Sequence, residues 1–190
     1  MELKFENITI SGGVASGKGT LKENLRPYLE PLGWKFASGG QLLRDFTKEY
    51  VQPLASLASD DFHHALDNRT LKLLTEEKHY VIEAWLAGFV ARELPNTLRV
   101  LLVCKNDALR IDRVANRDKV PVSEAISYIR KREDDNFKEW RRLYGEHDFF
   151  DPKFYNLVID TYSSGQMETV GKVLDAIGYR EPQRTEHPAS

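Results

Sequence analysis

Five short stretches of the chain concentrate apolar and β-branched side chains, and longer segments with helical spacing of apolar residues separate them. Runs of about four to eight such residues, bounded by polar positions, predict buried strands. Strands are predicted at FENITI (5–10), WKFAS (34–38), HYVIEA (79–84), RVLLVC (99–104) and NLVIDT (156–161). Helices are predicted between them, over residues 20–32, 40–50, 60–77, 107–117 and 123–143.

This alternation of strands and helices predicts an α/β fold, with a parallel five-stranded sheet flanked by helices on both faces. The first helix carries a stripe of leucines at positions 21, 25, 29 and 32. Pro27 and Pro31 are expected to kink or shorten that helix, because proline lacks a backbone donor and clashes with the preceding turn.

The stretch SGGVASGKGT (11–20) directly follows the first predicted strand. Its spacing, Gly12-x-x-x-x-Gly17-Lys18, is typical of a phosphate-binding loop. Glycines allow backbone N–H groups to turn inward around an anion, and the lysine adds a cation. A flexible turn is the alternative, but the strand before the loop and the helix after it are the context that a phosphate-binding loop requires.

Two further polar segments end predicted strands, namely Ser38-Gly39-Gly40 and Glu83. In parallel α/β sheets, ligands bind at the carboxyl ends of the strands. We therefore expect both segments to converge on the phosphate-binding loop.

Composition excludes several classes of protein. The 190 residues include 41% hydrophobic and 29% charged side chains with a formal net charge of −2, which argues against a nucleic-acid-coating or membrane-surface protein. No apolar run approaches the roughly 20 residues of a membrane span, and no cleavable signal pattern is present. Cys104 is the single cysteine and lies in an apolar run, which predicts a buried thiol and a reducing cytoplasm. His63 and His64 are adjacent and point apart on a helix, which favours surface residues over metal ligands.

An arginine-rich helix-turn-helix arm is predicted in the second half of the chain. The stretch ALRIDRVANRD places Arg110, Arg113 and Arg117 on one helical face. The stretch YIRKREDDNFKEWRRLYG adds further basic residues, among them Arg130, Lys131, Arg132, Arg141 and Arg142. A solvated helix face with ion pairs is the alternative, but beside a phosphate-binding loop, forked guanidinium groups are the usual stabilisers of phosphoryl transfer. The segment DKVPVSEA supplies a turn, so the arm is able to close over a phosphate donor.

In their order along the chain, these motifs resemble those of the nucleoside monophosphate kinases, most closely the archaeal-type cytidylate kinases. The similar segments are GGVASGKGT, SGGQLLR, VIEAWLAG, DRVANRD, RKRE with the later LYG, and LVIDT. They cover residues 4 to 178. The resemblance implies a single P-loop NTPase-type kinase domain over residues 1–178, with an acceptor-binding insertion at about 40–78, a lid insertion at about 117–145, and a flexible tail at 179–190.

The resemblance also implies an ATP-dependent, Mg²⁺-requiring phosphotransferase that acts on CMP or dCMP as a cytoplasmic monomer, without nucleic-acid or membrane partners. ATP would be bound by Gly12, Gly13, Val14, Ala15, Ser16, Gly17, Lys18, Gly19, Thr20 and Arg113. Catalysis would involve Lys18, Arg117 and Arg132. The acceptor would contact Ser38, Gly40, Arg44, Asp67 and Trp85. Mg²⁺ would lie near Thr20 and Glu83, largely through water, because Gly19 stands where other phosphate-binding loops have a metal-binding hydroxyl.

Three positions on the acceptor side depart from the family pattern. Trp85 and Glu139 stand where the family has arginines that face the acceptor phosphate, and His63 stands where an acidic residue is usual. Three residues are candidates to replace the missing cations: Arg92, Arg141 and Arg142. Because Glu139 would repel a phosphate if it pointed into the site, weak binding of CMP is predicted.

Two other functions fit the same residues. One is a small-molecule kinase with a different acceptor, and the other is a nucleotide-binding regulator without transfer activity. A GTPase would need an Asn-Lys-x-Asp motif, whereas CKNDAL has those letters in a different order. Consumption of ATP that depends on one acceptor would separate a kinase from a regulator.

Overall fold

A computed structural model describes residues 3–44 and 54–180, and within α2 it leaves the side chains of Leu43 and Arg44 undescribed. The strands in this part of the chain are β1 (Asn7–Ser11), β2 (Lys35–Ser38), β3 (Tyr80–Glu83), β4 (Thr97–Val103) and β5 (Leu157–Asp160). The helices are α1 (Lys18–Leu29), α2 (Gly39–Arg44), α3 (Asp60–Glu76), α4 (Ala87–Val90), α5 (Asp107–Asp118), α6 (Val122–Tyr144) and α7 (Gln166–Ile177). The α/β prediction is confirmed, and residues 45–50 of the helix predicted over 40–50 lie outside the described residues.

The five strands form one parallel sheet in the order β2-β3-β1-β4-β5. Ile10 of β1 is in register with Glu83 of β3, and Glu83 is in register with Ser38 of β2. The carboxyl ends of these three strands therefore lie side by side. The loop that follows β1 and Glu83 at the end of β3 line one cavity, whereas Ser38 lines a neighbouring cavity that Glu83 shares.

Helices cover both faces of the sheet. On one face, α1 and α7 pack on β1 and β4 through buried aliphatic residues that include Leu21, Leu25, Val170 and Val173. On the other face, α2, α3 and α4 form a second cluster with Ile82 of β3. The sheet is thus buried on both sides, which holds the strand ends in fixed positions.

The first helix ends earlier than its leucine stripe predicts. Pro27 lies within α1, which ends at Leu29, and residues 30–32 continue as a 3₁₀ turn that contains Pro31. Leu32 is consequently 36% exposed, whereas Leu29 is fully buried. The prolines shorten the helix, as predicted.

A tight turn joins α5 and α6 into the helix-turn-helix arm that the sequence predicts. Asn106 caps α5, because its side chain accepts from the N–H of Leu109 at 2.8 Å. At the other end of α5, Lys119 adopts a left-handed conformation with φ of 58°, and Pro121 precedes α6. These signals fix the turn over residues 119–121.

Two features of the fold differ from expectation. Cys104 is only half-buried, because it lies one residue beyond the end of β4 rather than inside the strand. Helix α7 was not predicted, although Val170, Val173, Leu174 and Ile177 are buried at helical spacing. Within residues 3–44 and 54–180, no helix is long and apolar enough to cross a membrane.

Candidate active site

The loop between β1 and α1 turns its carbonyl groups away from its concave side. Four consecutive carbonyls each accept a hydrogen bond from a side chain. The bonds are Lys18 Nζ to Gly13 O (2.8 Å), Arg110 Nε to Val14 O (3.1 Å), Arg113 Nη1 to Ala15 O (3.0 Å) and Thr161 Oγ1 to Ser16 O (3.0 Å). In the described part of the chain, the N–H groups of Gly17, Lys18 and Gly19 have no protein acceptor. Free donors at the start of a helix form an anion-binding site.

Gly12 shows why the loop requires glycine. Its φ is +146°, and a Cβ atom there would lie 2.3 Å from the carbonyl oxygen of Leu102. The loop therefore approaches β4 at a distance that only a residue without a side chain allows.

Lys18 is buried at the centre of this loop, with 9% of its surface exposed. Burial lowers the pKa of its ammonium to about 8, with a further lowering from the cation of Arg132, while the carboxylate of Glu83 opposes the shift. The Nζ atom lies 5.2 Å from the centre of the Trp85 ring. The charged form of Lys18 is thus destabilised by burial, and a bound anion would stabilise it.

A cavity of about 570 Å³ adjoins the loop on the side of α5 and α7. Its lining includes residues 15–20 of the loop and of α1, together with Glu83, Arg113 and Arg117. Arg113 is fixed in this wall, because it also donates to Thr161 Oγ1 and O, both at 3.1 Å. Arg117 pairs with the neighbouring Asp118 at 2.7 Å and is half-exposed. We call this space the donor cavity.

A second cavity of about 350 Å³ lies between α3, the end of β3 and α6, and we call it the acceptor cavity. Its lining includes Ser38, Asp67, Trp85, Arg132 and Asn136 as well as many apolar groups. Glu83 lines both cavities, so the two spaces meet at the end of β3. Ser38 also accepts from the N–H of Gln41 at 3.3 Å, which ties β2 to the first turn of α2.

Trp85 lies between the loop and helix α6. The guanidinium carbon of Arg132 is 5.6 Å from the centre of the Trp85 ring, and the ring meets Trp140 edge-on with centres 5.4 Å apart. Arg132 donates to the hydroxyl of Tyr128, while its buried Nε has no hydrogen-bond partner. A partly buried guanidinium with an unused donor is suited to bind an anion.

Helix α3 brings three polar side chains to the acceptor cavity, those of His63, Asp67 and Thr70. Burial raises the pKa of the Asp67 carboxyl, against the lowering effect of its hydrogen bond with Tyr144. His63 is also buried, and its Nε2 lies 3.0 Å from the carbonyl oxygen of Ala55. The prediction of a surface position is therefore wrong for His63, because α3 is covered there by the segment around residue 55, whereas His64 is exposed.

Glu139 does not line the acceptor cavity. It accepts from Arg142 Nε at 3.0 Å, and Arg142 in turn donates to Asp60 at 3.3 Å. The other two proposed replacements are also occupied elsewhere, since Arg92 donates to the carbonyl of Phe89 and Arg141 lies near Glu146. Among the described lining residues, Arg132 is the only arginine or lysine.

The residues near the predicted metal position fit a magnesium ion held mainly by phosphate oxygens and water. Thr20 is exposed on the first turn of α1, and the Glu83 carboxylate lies where the two cavities meet. In the described residues no group of three or more histidine, cysteine or acidic side chains forms a metal cage. Mg²⁺ prefers few carboxylates together with phosphates and water, so this donor set suits it.

Some site residues were not predicted, and two predicted ones are not fully described. Three residues that contact the loop directly were not predicted as site residues: Arg110, Thr161 and Glu133. Only for Arg110 did the sequence offer a signal, because it lies on the same helical face as Arg113. Gly40 and Arg44 belong to α2, but the role predicted for the Arg44 side chain lies outside the described residues.

Comparison with known proteins identifies the family. Residues 34–163 match the model of the cytidylate kinase-like family. The chain is 31% identical over 159 residues to a cytidylate kinase of Saccharolobus islandicus, with 81% of each chain covered. It is 32% identical over 187 residues to a cytidylate kinase of Thermococcus sibiricus, with 96% of this chain and 93% of the relative covered.

A solved structure of a gluconokinase from Sinorhizobium meliloti resembles the fold. It has a TM-score of 0.59 and 16% identity, and 94% of each chain is covered. Such low identity supports the P-loop kinase fold and nothing further. With its phosphate-binding loop, parallel sheet and two adjoining cavities, the chain belongs to the cytidylate kinase-like family and is a phosphotransferase.

Proposed function

We propose that this protein is an ATP-dependent nucleoside monophosphate kinase that transfers the γ-phosphoryl group of ATP to CMP or dCMP. The observation that carries the proposal is the meeting of the donor and acceptor cavities at Glu83, beside Lys18. A direct transfer needs two substrates in contact and in line, and two adjoining cavities provide this arrangement. The archaeal relatives are named cytidylate kinases, which supports the acceptor.

On the donor side, the loop over residues 12–20 binds the phosphates of ATP through the free N–H groups of Gly17, Lys18 and Gly19 and through the ammonium of Lys18. Arg113 forms a flat wall for the adenine, since its guanidinium is held by Ala15 and Thr161. Guanidinium planes stack on aromatic rings, which suits a purine. Arg117 reaches the transferring phosphates from the edge of the donor cavity.

In the transfer step, a phosphate oxygen of the acceptor attacks the γ-phosphorus in line. The bond from that phosphorus to the bridging oxygen breaks, and ADP leaves with the electron pair. Lys18 and Arg132 neutralise the charge that develops on the transferring oxygens. Mg²⁺, when bound near Thr20 and Glu83, supplies additional neutralisation of the phosphates.

On the acceptor side, we propose that Arg132 binds the acceptor phosphate through its unused Nε donor and that Ser38, Gly40 and Arg44 contact the acceptor. Asp67 contacts the base or the sugar from α3. The aromatic ring of Trp85 lines the acceptor cavity beside Lys18 and excludes water there, which strengthens the electrostatic interactions.

A kinase with another small-molecule acceptor is the second candidate. The observation in its favour is the largely apolar acceptor cavity, in which Trp85 takes the place of a phosphate-facing arginine. A cavity with few cations suits an acceptor of lower charge than a nucleoside monophosphate.

We further propose that residues 1–178 form one kinase domain, with acceptor-binding and lid insertions at about 40–78 and 117–145 and a flexible tail at 179–190. The single cysteine fits a reducing compartment, and we propose the cytoplasm and a monomeric state.

The test is a coupled assay of ADP release with a panel of nucleoside and deoxynucleoside monophosphates, together with shikimate and gluconate as controls. Release that depends on CMP or dCMP supports the proposal. Release that depends on a different acceptor contradicts the CMP assignment, and ATP binding without any release favours a regulator.

A further inference from the structure

The third residue of the phosphate-binding loop is held by both helices of the lid arm. The N–H of Val14 donates to Glu133 Oε1 of α6 at 3.2 Å, and its carbonyl accepts from Arg110 Nε of α5 at 3.1 Å. Arg110 and Glu133 also pair directly with each other. Both polar atoms of one loop residue are therefore bound by side chains that belong to the arm. We call Arg110 and Glu133 the loop clamp.

The loop clamp is largely shielded from solvent. The side chains of Arg110 and Glu133 are 16% and 22% exposed, so water competes weakly for their hydrogen bonds. Beneath them, Val14 is 5% exposed and packs in an apolar cluster with Val114 of α5 and Ile129 of α6. The loop and the arm thus share one small core.

The position of the loop clamp matters because of the residue that follows it. Ala15 has a φ of +55°, a left-handed conformation that costs free energy for a residue with a Cβ atom. The loop clamp holds the N–H and the carbonyl of the preceding residue, Val14, and Arg113 donates to the carbonyl of Ala15. When the clamp opens, Ala15 is free to relax, and the inward N–H groups that follow it lose their alignment.

The position of Gly13 also shows that Glu133 lies close to the backbone of the loop. A Cβ atom at this position would lie 2.6 Å from Glu133 Oε1, and the backbone of Gly13 does not have a positive φ. The carboxylate of Glu133 is therefore the group that a side chain at this position would have to displace.

We infer that Arg110 and Glu133 are positioning residues that make the anion-binding shape of the loop depend on the seating of the lid arm. The rate measurements that test this inference rest on the proposed function, whereas the measurements of ATP affinity need no acceptor. Neither residue is expected to touch the substrates. Their effect passes through the Val14 peptide to the donors that bind phosphate.

The first test compares Glu133→Ala, Glu133→Gln and the control Asp134→Asn, an exposed carboxylate on the same helix. ATP affinity is measured by calorimetry without acceptor, kcat and KM by ADP release, and folding by the melting temperature. Glutamine keeps an oxygen that accepts from Val14, whereas alanine does not. We expect Glu133→Ala to weaken ATP binding about tenfold and lower kcat, with the KM of the acceptor within about twofold. Glu133→Gln is expected to recover most of the loss.

A Glu133→Ala variant with the ATP affinity of Asp134→Asn would overturn the inference. So would a glutamine variant as impaired as the alanine variant. A wild-type protein that binds ATP but does not use CMP contradicts the proposed acceptor and leaves the comparison of ATP affinities intact.

The second test uses Gly13. Gly13→Ala places a methyl group against the Glu133 carboxylate and is expected to reduce ATP affinity to the level of Glu133→Ala. In the Gly13→Ala/Glu133→Ala double variant the obstacle is absent, so the second change should add almost nothing to the first. Losses that simply add would show that Glu133 does not position the loop.

Discussion

The ammonium of Lys18 and the indole of Trp85 lie in cation–π contact, with Nζ 5.2 Å from the ring centre. Arg132 contacts the same ring at 5.6 Å, so one indole orders a cation of the loop and a cation of α6. A cation over an aromatic ring gains about 0.5–2 kcal/mol, depending on how far it is desolvated. Trp85 therefore holds the charges near the junction of the two cavities before any substrate is bound.

Lys18→Met is expected to abolish most transfer and, at the same time, to stabilise the fold. The pKa of Lys18 is lowered from its ordinary 10.5 to about 8, so below pH 8 the folded protein carries a buried charge that destabilises it. We expect a gain of roughly 2–3 kcal/mol in the free energy of unfolding at pH 7. The gain should shrink as the pH rises from about 8 toward 10.5. In this range the native lysine is neutral, and the free energy needed to remove its proton on folding falls to zero as the unfolded lysine also becomes neutral. Denaturant unfolding of both proteins from pH 7 to pH 10 measures it. A variant less stable than wild type at pH 7 would contradict this.

Binding of ATP is expected to take up a proton near pH 8.5. The phosphates favour the charged form of Lys18, whose pKa lies at about 8 in the free protein. Calorimetry in two buffers of different ionisation enthalpy measures the uptake. Lys18→Met should remove it, and uptake that persists in this variant would assign the proton to another group.

Much of this architecture follows from local sequence. The strands, the loop after β1 and the arm of α5 and α6 are encoded by apolar periodicity, glycine spacing and the turn before Pro121. Each of these signals spans fewer than about 20 residues, within reach of pattern-based inference.

Contacts between distant segments could not be predicted in the same way. Val14 and Glu133 are 119 positions apart, and the charge pattern around Glu133 fits a solvated helix equally well. His63 is buried because the segment at residue 55 covers it, which depends on how α3 docks. The pairing of Arg142 with Asp60 likewise joins positions 82 apart and depends on how α3 and α6 dock. Tertiary packing decides these positions.

Arg113→Ala is expected to raise the KM for ATP by about tenfold or more with a smaller effect on kcat. Arg113 bonds to Ala15 and Thr161, so its loss removes a wall of the donor cavity and a support of the loop. Arg117→Ala should instead lower kcat, because Arg117 is half-exposed and supports no loop carbonyl. Steady-state kinetics with varied ATP separate the two outcomes. Small and equal effects from both variants would contradict the roles proposed for Arg113 in ATP binding and for Arg117 in transfer.

Asn136→Ala is expected to raise the KM of the acceptor and leave ATP affinity unchanged. Asn136 is buried in α6, lines the acceptor cavity and accepts from the N–H of Ala55 at 3.0 Å. The substitution leaves that N–H without a partner and weakens the attachment of the segment at residue 55, which lines the acceptor cavity. We expect the KM of the acceptor to rise about tenfold. Lys138→Ala, at an exposed position of the same helix, is the control. If the Kd for ATP rises as much as the KM of the acceptor, Asn136 stabilises the whole arm of α5 and α6 and does not act on the acceptor cavity alone.

Trp85 is expected to decide how well CMP binds. The wild-type KM for CMP should lie toward the upper end of the usual range of about 1 μM to 1 mM, because Arg132 is the only cation among the described residues of the acceptor cavity.

Trp85→Arg adds a cation where the family has one and should lower the KM for CMP about tenfold. It should also lower the melting temperature without ligand, because a third cation then lies beside Lys18 and Arg132. Trp85→Phe keeps a ring and is the matched control. Glu139→Arg should not improve CMP binding, since Glu139 faces Arg142 rather than the cavity. If Trp85→Arg loses activity on a different acceptor that the wild type uses well, the indole is part of the site for that acceptor, and the cytidylate assignment is wrong.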